Sequence, residues 1–226
     1  MGKLHGSLRF VSGGKEKSMI ALIDYDMGNL ASVAKALEAV GAAVKLVTEP
    51  KEAEGAAGVV LPGVGNFGDG MRQLEERGWR GFLREWTASE RPFLGICLGL
   101  QMLFDASEEA PGVAGLGIVP GEVRKFPARV GKIPHMGWNE VRVPERAARG
   151  LAAFAGRGEY FYFVHSFYVA SADPSWCGGV TDYNGVEFTA AVARGNLVAT
   201  QFHPEKSQNA GLLLLKNFVE MCREAR

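Results

Sequence analysis

From Met19 to Ser107 the chain alternates short apolar runs with segments of helical spacing, and that alternation admits few folds. "MIALIDY" (19–25) is a continuous apolar run of the kind a fully buried strand makes. "GNLASVAKALEAVG" (28–41) follows, with Leu30, Val33, Ala34 and Leu37 at helical spacing and Gly41 as a stop. "AAVKLV" (42–47), "AGVVLP" (57–62) and "RPFLGIC" (91–97) read as further strands. Met71, Leu74, Phe82, Leu83 and Trp86 predict one or two helices with a break at Gly78, and "GLQMLFDAS" (99–107) predicts the next. Strand and helix in turn predict a parallel sheet with helices on both faces.

After about Glu109 the pattern changes to short β-type runs: "GEVRKF", "NEVRV", "YFYFVHSFYV", "GGVTDY", "VEFTAAVA" and "LVATQF". Asn184-Gly185 between two of them is a hairpin signal, and Arg194-Gly195-Asn196 marks another reversal. This portion is expected to be largely antiparallel, with "GLLLLKNFVEMCREA" as a closing amphipathic helix. No repeat or low-complexity linker interrupts the pattern, so residues 19–226 are expected to form a single α/β domain. Residues 1–18, "MGKLHGSLRFVSGGKEKS", are polar, Gly-rich and basic, and read as a loose extension. They lack the apolar stretch of a secretory signal, and Met19 is the expected natural beginning.

Hydrophobic residues make up 47% of the chain, enough for the core such a sheet needs. Lys+Arg and Asp+Glu balance at 25 each, which leaves no basic excess to hold nucleic acid or an anionic membrane. No apolar run approaches the ~18 residues of a membrane helix. The three cysteines, Cys97, Cys177 and Cys222, are far apart and odd in number, which argues for a reducing cytoplasm and against a disulfide framework.

"VVLPGVGNFGDGM" (59–71) carries Gly63, Gly65 and Gly68 as G-x-G-x-x-G, the outline of a dinucleotide-binding turn. Such a site needs an acidic residue at the end of the following strand to hold the ribose. Here that strand ends in Cys97, and the glycine loop follows the third apolar run rather than the first. A cofactor site is therefore not expected.

The cysteine itself is framed. "GICLG" (95–99) is a nucleophile elbow with Cys in place of Ser, its glycines permitting a strained strand-to-helix turn. A helix starting there points free N–H groups at the sulfur and favours the thiolate. Cys177 and Cys222 lack such a frame and read as packing residues. A nucleophile needs a base, and His203 in "TQFHPEKS" follows an apolar run with Glu205 two residues on. In extended chain, positions two apart face the same way, so Glu205 is placed to orient His203 and stabilise its cation. Elbow enzymes hold the oxyanion with the N–H after the nucleophile, here Leu98, plus one from a neighbouring loop. The "PGVG" loop (62–65) suits that second donor.

With "GICLGLQ", "PGVGNFG" and "HPEKS", the chain resembles the class I glutamine amidotransferases. "IDYDMGNL", "PGVGNFGDGM", "IPHMGWN" and "YFVHSFYV" are similar to the glutaminase-subunit family of imidazole glycerol phosphate synthase, in histidine biosynthesis, and the likeness runs from about Met19 to the C-terminus. The resemblance implies a flavodoxin-like α/β fold and no cofactor or metal. It implies that Cys97 attacks the glutamine amide and passes through a thioester, that His203 moves the proton, and that Glu205 holds His203. It assigns Val64 and Leu98 to the oxyanion, and Gly65, Gln101, His165, Ser166 and Phe167 to glutamine. Met136, Trp138, Tyr162 and Lys206 match surfaces that face a (β/α)8-barrel synthase subunit in a heterodimer. That partner uses the ammonia to make imidazole glycerol phosphate and AICAR from the ribulosyl-formimino-AICAR phosphate. His135 is expected to be structural. Asp26 stands where the family usually has Gly, and Phe167 where Tyr is common. The alternative within the class is the glutaminase component of another amidotransferase, such as anthranilate synthase; "PHMGWN" argues against it.

Overall fold

The computed structural model describes residues 19–146 and 149–225. The expected N-terminal extension, 1–18, lies outside the described residues. The parallel part of the sheet holds β1 (Met19–Ile23), β2 (Ala43–Val47), β3 (Gly58–Leu61) and β4 (Phe93–Ile96). Between them run α1 (Leu30–Ala39), α2 (Phe67–Glu76) and α3 (Trp79–Ala88). Gly78 separates α2 from α3 at φ 73°, a left-handed angle that glycine reaches at little steric cost. Asn66 caps α2 by accepting from the N–H groups of Gly68 and Asp69, at 2.8 and 3.3 Å.

The later strands are β5 (Ala106–Ser107), β6 (Gly121–Lys125), β7 (His135–Arg142), β8 (Gly158–His165), β9 (Phe167–Ser171), β10 (Cys177–Tyr183), β11 (Val186–Arg194) and β12 (Leu197–Thr200). Their pairings are mostly antiparallel, and the β10–β11 hairpin turns at Asn184-Gly185 as expected. The spatial order is β2-β1-β3-β4-β12-β11-β10-β7-β8. Its first five members follow the flavodoxin-like order, with β12 lying parallel to β4. Along β1, Ile20 and Leu22 enter one core with Leu214, Leu215 and Phe218 of α5 (Gln208–Glu224). Ala21 and Ile23 enter the other, with Met71, Leu74, Leu83 and Trp86 of α2 and α3. Period-2 alternation thus serves two apolar faces, which is why these runs are apolar throughout.

Two sequence expectations are corrected here. The helix expected over 99–107 is only α4 (Leu98–Gln101). The chain leaves it because Asp105 donates its N–H to the Gly121 carbonyl and Ala106–Ser107 pair with Glu122–Val123, a long-range bond that local spacing does not carry. The run "YFYFVHSFYV" is two strands, not one. β8 pairs with β7, β9 pairs with β6, and the break at Ser166 lets one apolar stretch serve both.

The close approach of α4 to β3 depends on Gly99. A Cβ there would lie 2.0 Å from the Leu61 carbonyl oxygen, a backbone atom held in the central sheet. Gly99→Ala is therefore expected to destabilise the fold by about 3 kcal/mol or more. Gly81→Ala, in an exposed helix position with open space around it, should be neutral or stabilising by up to about 1 kcal/mol. Urea unfolding of both variants checks the contrast, and equal stabilities would remove the steric account.

Candidate active site

The site forms where the parallel strands β3, β4 and β12 end. Cys97 follows β4 directly, at φ 55° and ψ −105°, an angle rare for a side-chain-bearing residue. Strain of this kind persists only where the surroundings impose it. Here Gly95 packs against Ala199 and the Gly99 carbonyl, and the Cys97 N–H donates to the Thr200 carbonyl at 2.7 Å. The elbow is thus tied to the end of β12. Cys97 is buried, with 7% of the residue exposed.

From Thr200 the chain runs through Gln201 and Phe202 to His203, which is extended at φ −99° and ψ 97°. His203 Nδ1 lies 2.8 Å from Glu205 Oε1, and both side chains are buried. The pairing is as expected but its means differ: Glu205 sits in a 3-10 turn, Pro204–Lys206, rather than in extended chain. The other ring nitrogen, Nε2, is buried and has no hydrogen-bond partner among the described residues. Burial opposes a charge on this ring, but the adjacent Cys97 sulfur and the Glu205 carboxylate outweigh it and lift the pKa to about 9. His203 is therefore a cation at neutral pH, beside the thiol.

The expected oxyanion donors are differently disposed. The Leu98 N–H donates to the Gly63 carbonyl at 3.2 Å, so it is occupied in this conformation. Val64 is exposed at the loop tip, and Gly65 takes φ 109°. Gly63 is wedged in: a Cβ would lie 2.3 Å from the Tyr25 hydroxyl and 2.9 Å from Leu98 Cβ. Tyr25 is a residue that sequence reasoning assigned only to a strand. It is fully buried, its hydroxyl donates to the Pro62 carbonyl at 2.8 Å, and burial raises its pKa far above the usual phenol value. It clamps the start of the glycine loop.

Of the residues expected to meet glutamine, Gly65, Gln101, His165, Ser166 and Phe167 come from the β3 loop, α4 and the β8–β9 break. Gln101 is buried, and its Nε2 donates to the Phe167 carbonyl and to Gln201 Oε1, both at 3.1 Å. His165 Nδ1 lies 2.7 Å from the same carbonyl, which can only accept. Burial holds His165 down to about 3 and His135 down to about 4, so both rings are neutral. The tautomers follow in series. His165 donates from Nδ1 and accepts at Nε2 from His135 Nδ1–H, 3.1 Å away. His135 Nε2 then accepts from the Asn139 amide at 3.3 Å. His135, expected to be structural, is the middle of a polar chain between Asn139 of β7 and the Phe167 carbonyl. Gln201 is a second residue that sequence reasoning missed. It lies two positions before His203 and its Nε2 is 3.7 Å from Cys97 Sγ.

The residues expected to face a partner also cluster. Met136 is 57% exposed and Trp138 46%, side chains whose size would otherwise be buried. Trp138 pairs in register with Tyr162, the ring centroids 6.2 Å apart, and Lys206 Nζ lies 5.9 Å from the Tyr162 ring. Tyr160, which sequence reasoning did not single out, is 56% exposed beside them. The patch touches the site through backbone, because the His203 N–H donates to the Tyr162 carbonyl at 2.9 Å.

A family model described as "Glutamine amidotransferase class-I" matches residues 21–222. The imidazole glycerol phosphate synthase subunit HisH of Moorella thermoacetica is 50% identical over 208 residues, covering 91% of this chain and 96% of that one. The HisH subunit of Desulfitobacterium hafniense is 49% identical over 206 residues, with the same 91% and 96% coverage. Among solved structures, one titled "Structure of PurLQS from Thermotoga maritima" matches with a TM-score of 0.72 and 21% identity, over 91% of this chain and 97% of that chain. This last likeness speaks for the fold alone. With a family model over both halves of the sheet and relatives at about half identity along nearly their whole length, the chain belongs to the class I glutamine amidotransferases, in the branch of the imidazole glycerol phosphate synthase subunit HisH.

Proposed function

We propose that this chain hydrolyses glutamine at Cys97 and delivers the ammonia to a (β/α)8-barrel synthase subunit. The observation that carries the proposal is the meeting of Cys97, at the end of β4, with the buried His203–Glu205 pair after β12. The Cys97 thiolate attacks the side-chain carbonyl carbon of glutamine, and a C–S bond forms as the carbonyl oxygen takes the negative charge. The C–N bond then breaks, and the departing nitrogen takes the proton from His203 Nε2 to leave as ammonia. His203 next removes a proton from water, the hydroxide oxygen attacks the thioester carbon, and glutamate and the thiolate are released. Glu205 keeps the proton on Nδ1 and stabilises the imidazolium through both half-reactions.

The glycine loop supplies the control. Ammonia diffuses freely, so a glutaminase active alone would waste glutamine. With the Leu98 N–H held by the Gly63 carbonyl, the oxyanion site is incomplete. Rotation of a peptide between Gly63 and Gly65 releases Leu98 and can bring a second N–H to the oxyanion. A missing donor costs roughly 10²–10³ in rate. Met136, Trp138, Tyr162 and Lys206 are the surface that the barrel covers, and the bond from the His203 N–H to the Tyr162 carbonyl brings docking to within one peptide of the base. The shared relatives favour the synthase of histidine biosynthesis, whose barrel subunit makes imidazole glycerol phosphate and AICAR. The unpaired cysteines, all free, fit a cytoplasmic site for the reaction.

The test is a glutaminase assay of the full chain alone, with the barrel subunit, and with the barrel plus its ribonucleotide. Low activity alone and a rise of about 10²-fold or more in the loaded complex are expected. Lys206→Ala should lower that stimulation while leaving alkylation of Cys97 by iodoacetamide unchanged. Full activity in the isolated chain would leave a constitutive hydrolase instead.

A further inference from the structure

The support that a helix N-terminus lends to a thiolate is small here, because α4 has only four residues. The structure offers another donor. Gln201 is fully buried between β12 and His203, and its backbone N–H donates to the Ala190 carbonyl at 2.8 Å. Its side-chain amide has a determined orientation. The Phe167 carbonyl can only accept, so the Gln101 group 3.1 Å from it is the NH2. That same NH2 reaches Gln201, so the atom it meets, 3.1 Å away, is the Gln201 oxygen. The Gln201 NH2 is thereby turned to Cys97 Sγ at 3.7 Å. Each step is set by what the previous group can donate or accept, back to a backbone carbonyl that His165 also holds.

We propose that Gln201 is a further catalytic residue, donating an N–H to the Cys97 sulfur so that the thiolate is favoured and aimed, with Gln101 as the positioning residue that fixes the Gln201 amide. A thiolate accepts such a bond better than a thiol does, so the contact favours the charged nucleophile. The same two amides connect the sulfur to the Phe167 carbonyl. A shift of the β8–β9 break is therefore felt at the nucleophile through Gln101 and Gln201, without passing through His203. The inference rests on Cys97 being the nucleophile proposed above.

The test is the pH dependence of iodoacetamide alkylation at Cys97, read by peptide mass in the full chain, beside kcat and KM of the loaded complex. Alkylation reports the thiol whether or not glutamine is hydrolysed, so a failure of the glutaminase proposal and a failure of this one are distinguishable. Gln201→Met keeps length and removes the donor. Half-maximal alkylation should move to higher pH, and alkylation below that midpoint should slow about tenfold, with kcat falling alike and KM little changed. Gln201→Glu, which sets an acceptor against the sulfur, should move the midpoint further, and Gln101→Met less than either. An unmoved midpoint, or a loss confined to KM, would overturn the proposal and leave Gln201 a packing residue. Should the Gln201 variants fail to fold, the unaltered chain still decides. The side-chain amide NMR signals of Gln201 should titrate with Cys97 and shift when it is alkylated, and signals indifferent to both would refute the contact.

Discussion

Cys97→Ser is expected to leave a folded protein in which glutamine-dependent synthesis by the complex falls by about 10⁴-fold or more. Serine occupies nearly the same space at the strained elbow, so the bond from residue 97 to Thr200 and the packing of Gly95 and Gly99 are retained. What is lost is ionisation. A hydroxyl at this position gives up its proton far less readily than a thiol, so the nucleophile beside His203 is lost. Synthesis from added ammonium should survive, because the barrel subunit needs only the product of this site. A glutamine-like affinity label should modify Cys97 in the parent and nothing in the variant. Glutaminase persisting in the variant, or labelling of Cys177 or Cys222, would remove Cys97 from its role.

His203→Asn is the second large effect, a loss of about 10²–10⁴ in glutaminase kcat, because one ring serves as acid for ammonia and base for water. Glu205→Gln should lose less, about 10–100-fold. Its oxygen still accepts from Nδ1–H and keeps the tautomer, while the charge-assisted part of the bond disappears. The pH profile separates these roles. With the His203 pKa at about 9, the rate should hold through neutral pH and fall above about 9, where the acid that releases ammonia loses its proton. The Glu205 carboxylate is one of the groups that raise that pKa, so in Glu205→Gln the fall should begin at lower pH. A basic limb at the same pH in both proteins would show that Glu205 does not govern the charge on His203.

Much of this was legible in the residues because it is local. The elbow is written in adjacent positions, Gly95 to Gly99, and the His203–Glu205 pair lies within one turn. The parallel strands announce themselves as short apolar runs because each is covered on two faces. What was not legible joins distant segments. Nothing near Gln101 says that its amide meets Gln201 and Phe167, and nothing near Tyr25 says that its hydroxyl holds Pro62. Similarly, α4 ends early because of β6, which lies well beyond it. Asp26 is an intermediate case. The family's usual Gly points to a left-handed angle, and Asp26 does adopt φ 65°, a region Asp tolerates better than most residues. Its ion pair with Arg77, across the loop, could be found only in three dimensions.

The insertion of β12 between β4 and β11 has a consequence for how the protein is made. Cys97 follows a strand that a ribosome delivers early, yet the neighbour that completes its surroundings, Gln201, is 104 residues away, and His203 follows. A nascent chain that has emerged only through β11 holds the nucleophile with no base, no paired carboxylate and an open slot in the sheet. Closing that slot is a long-range event of the kind that comes late and slowly in folding. A chain cut before His203 lacks both the base and its carboxylate, and is expected to be inert toward glutamine.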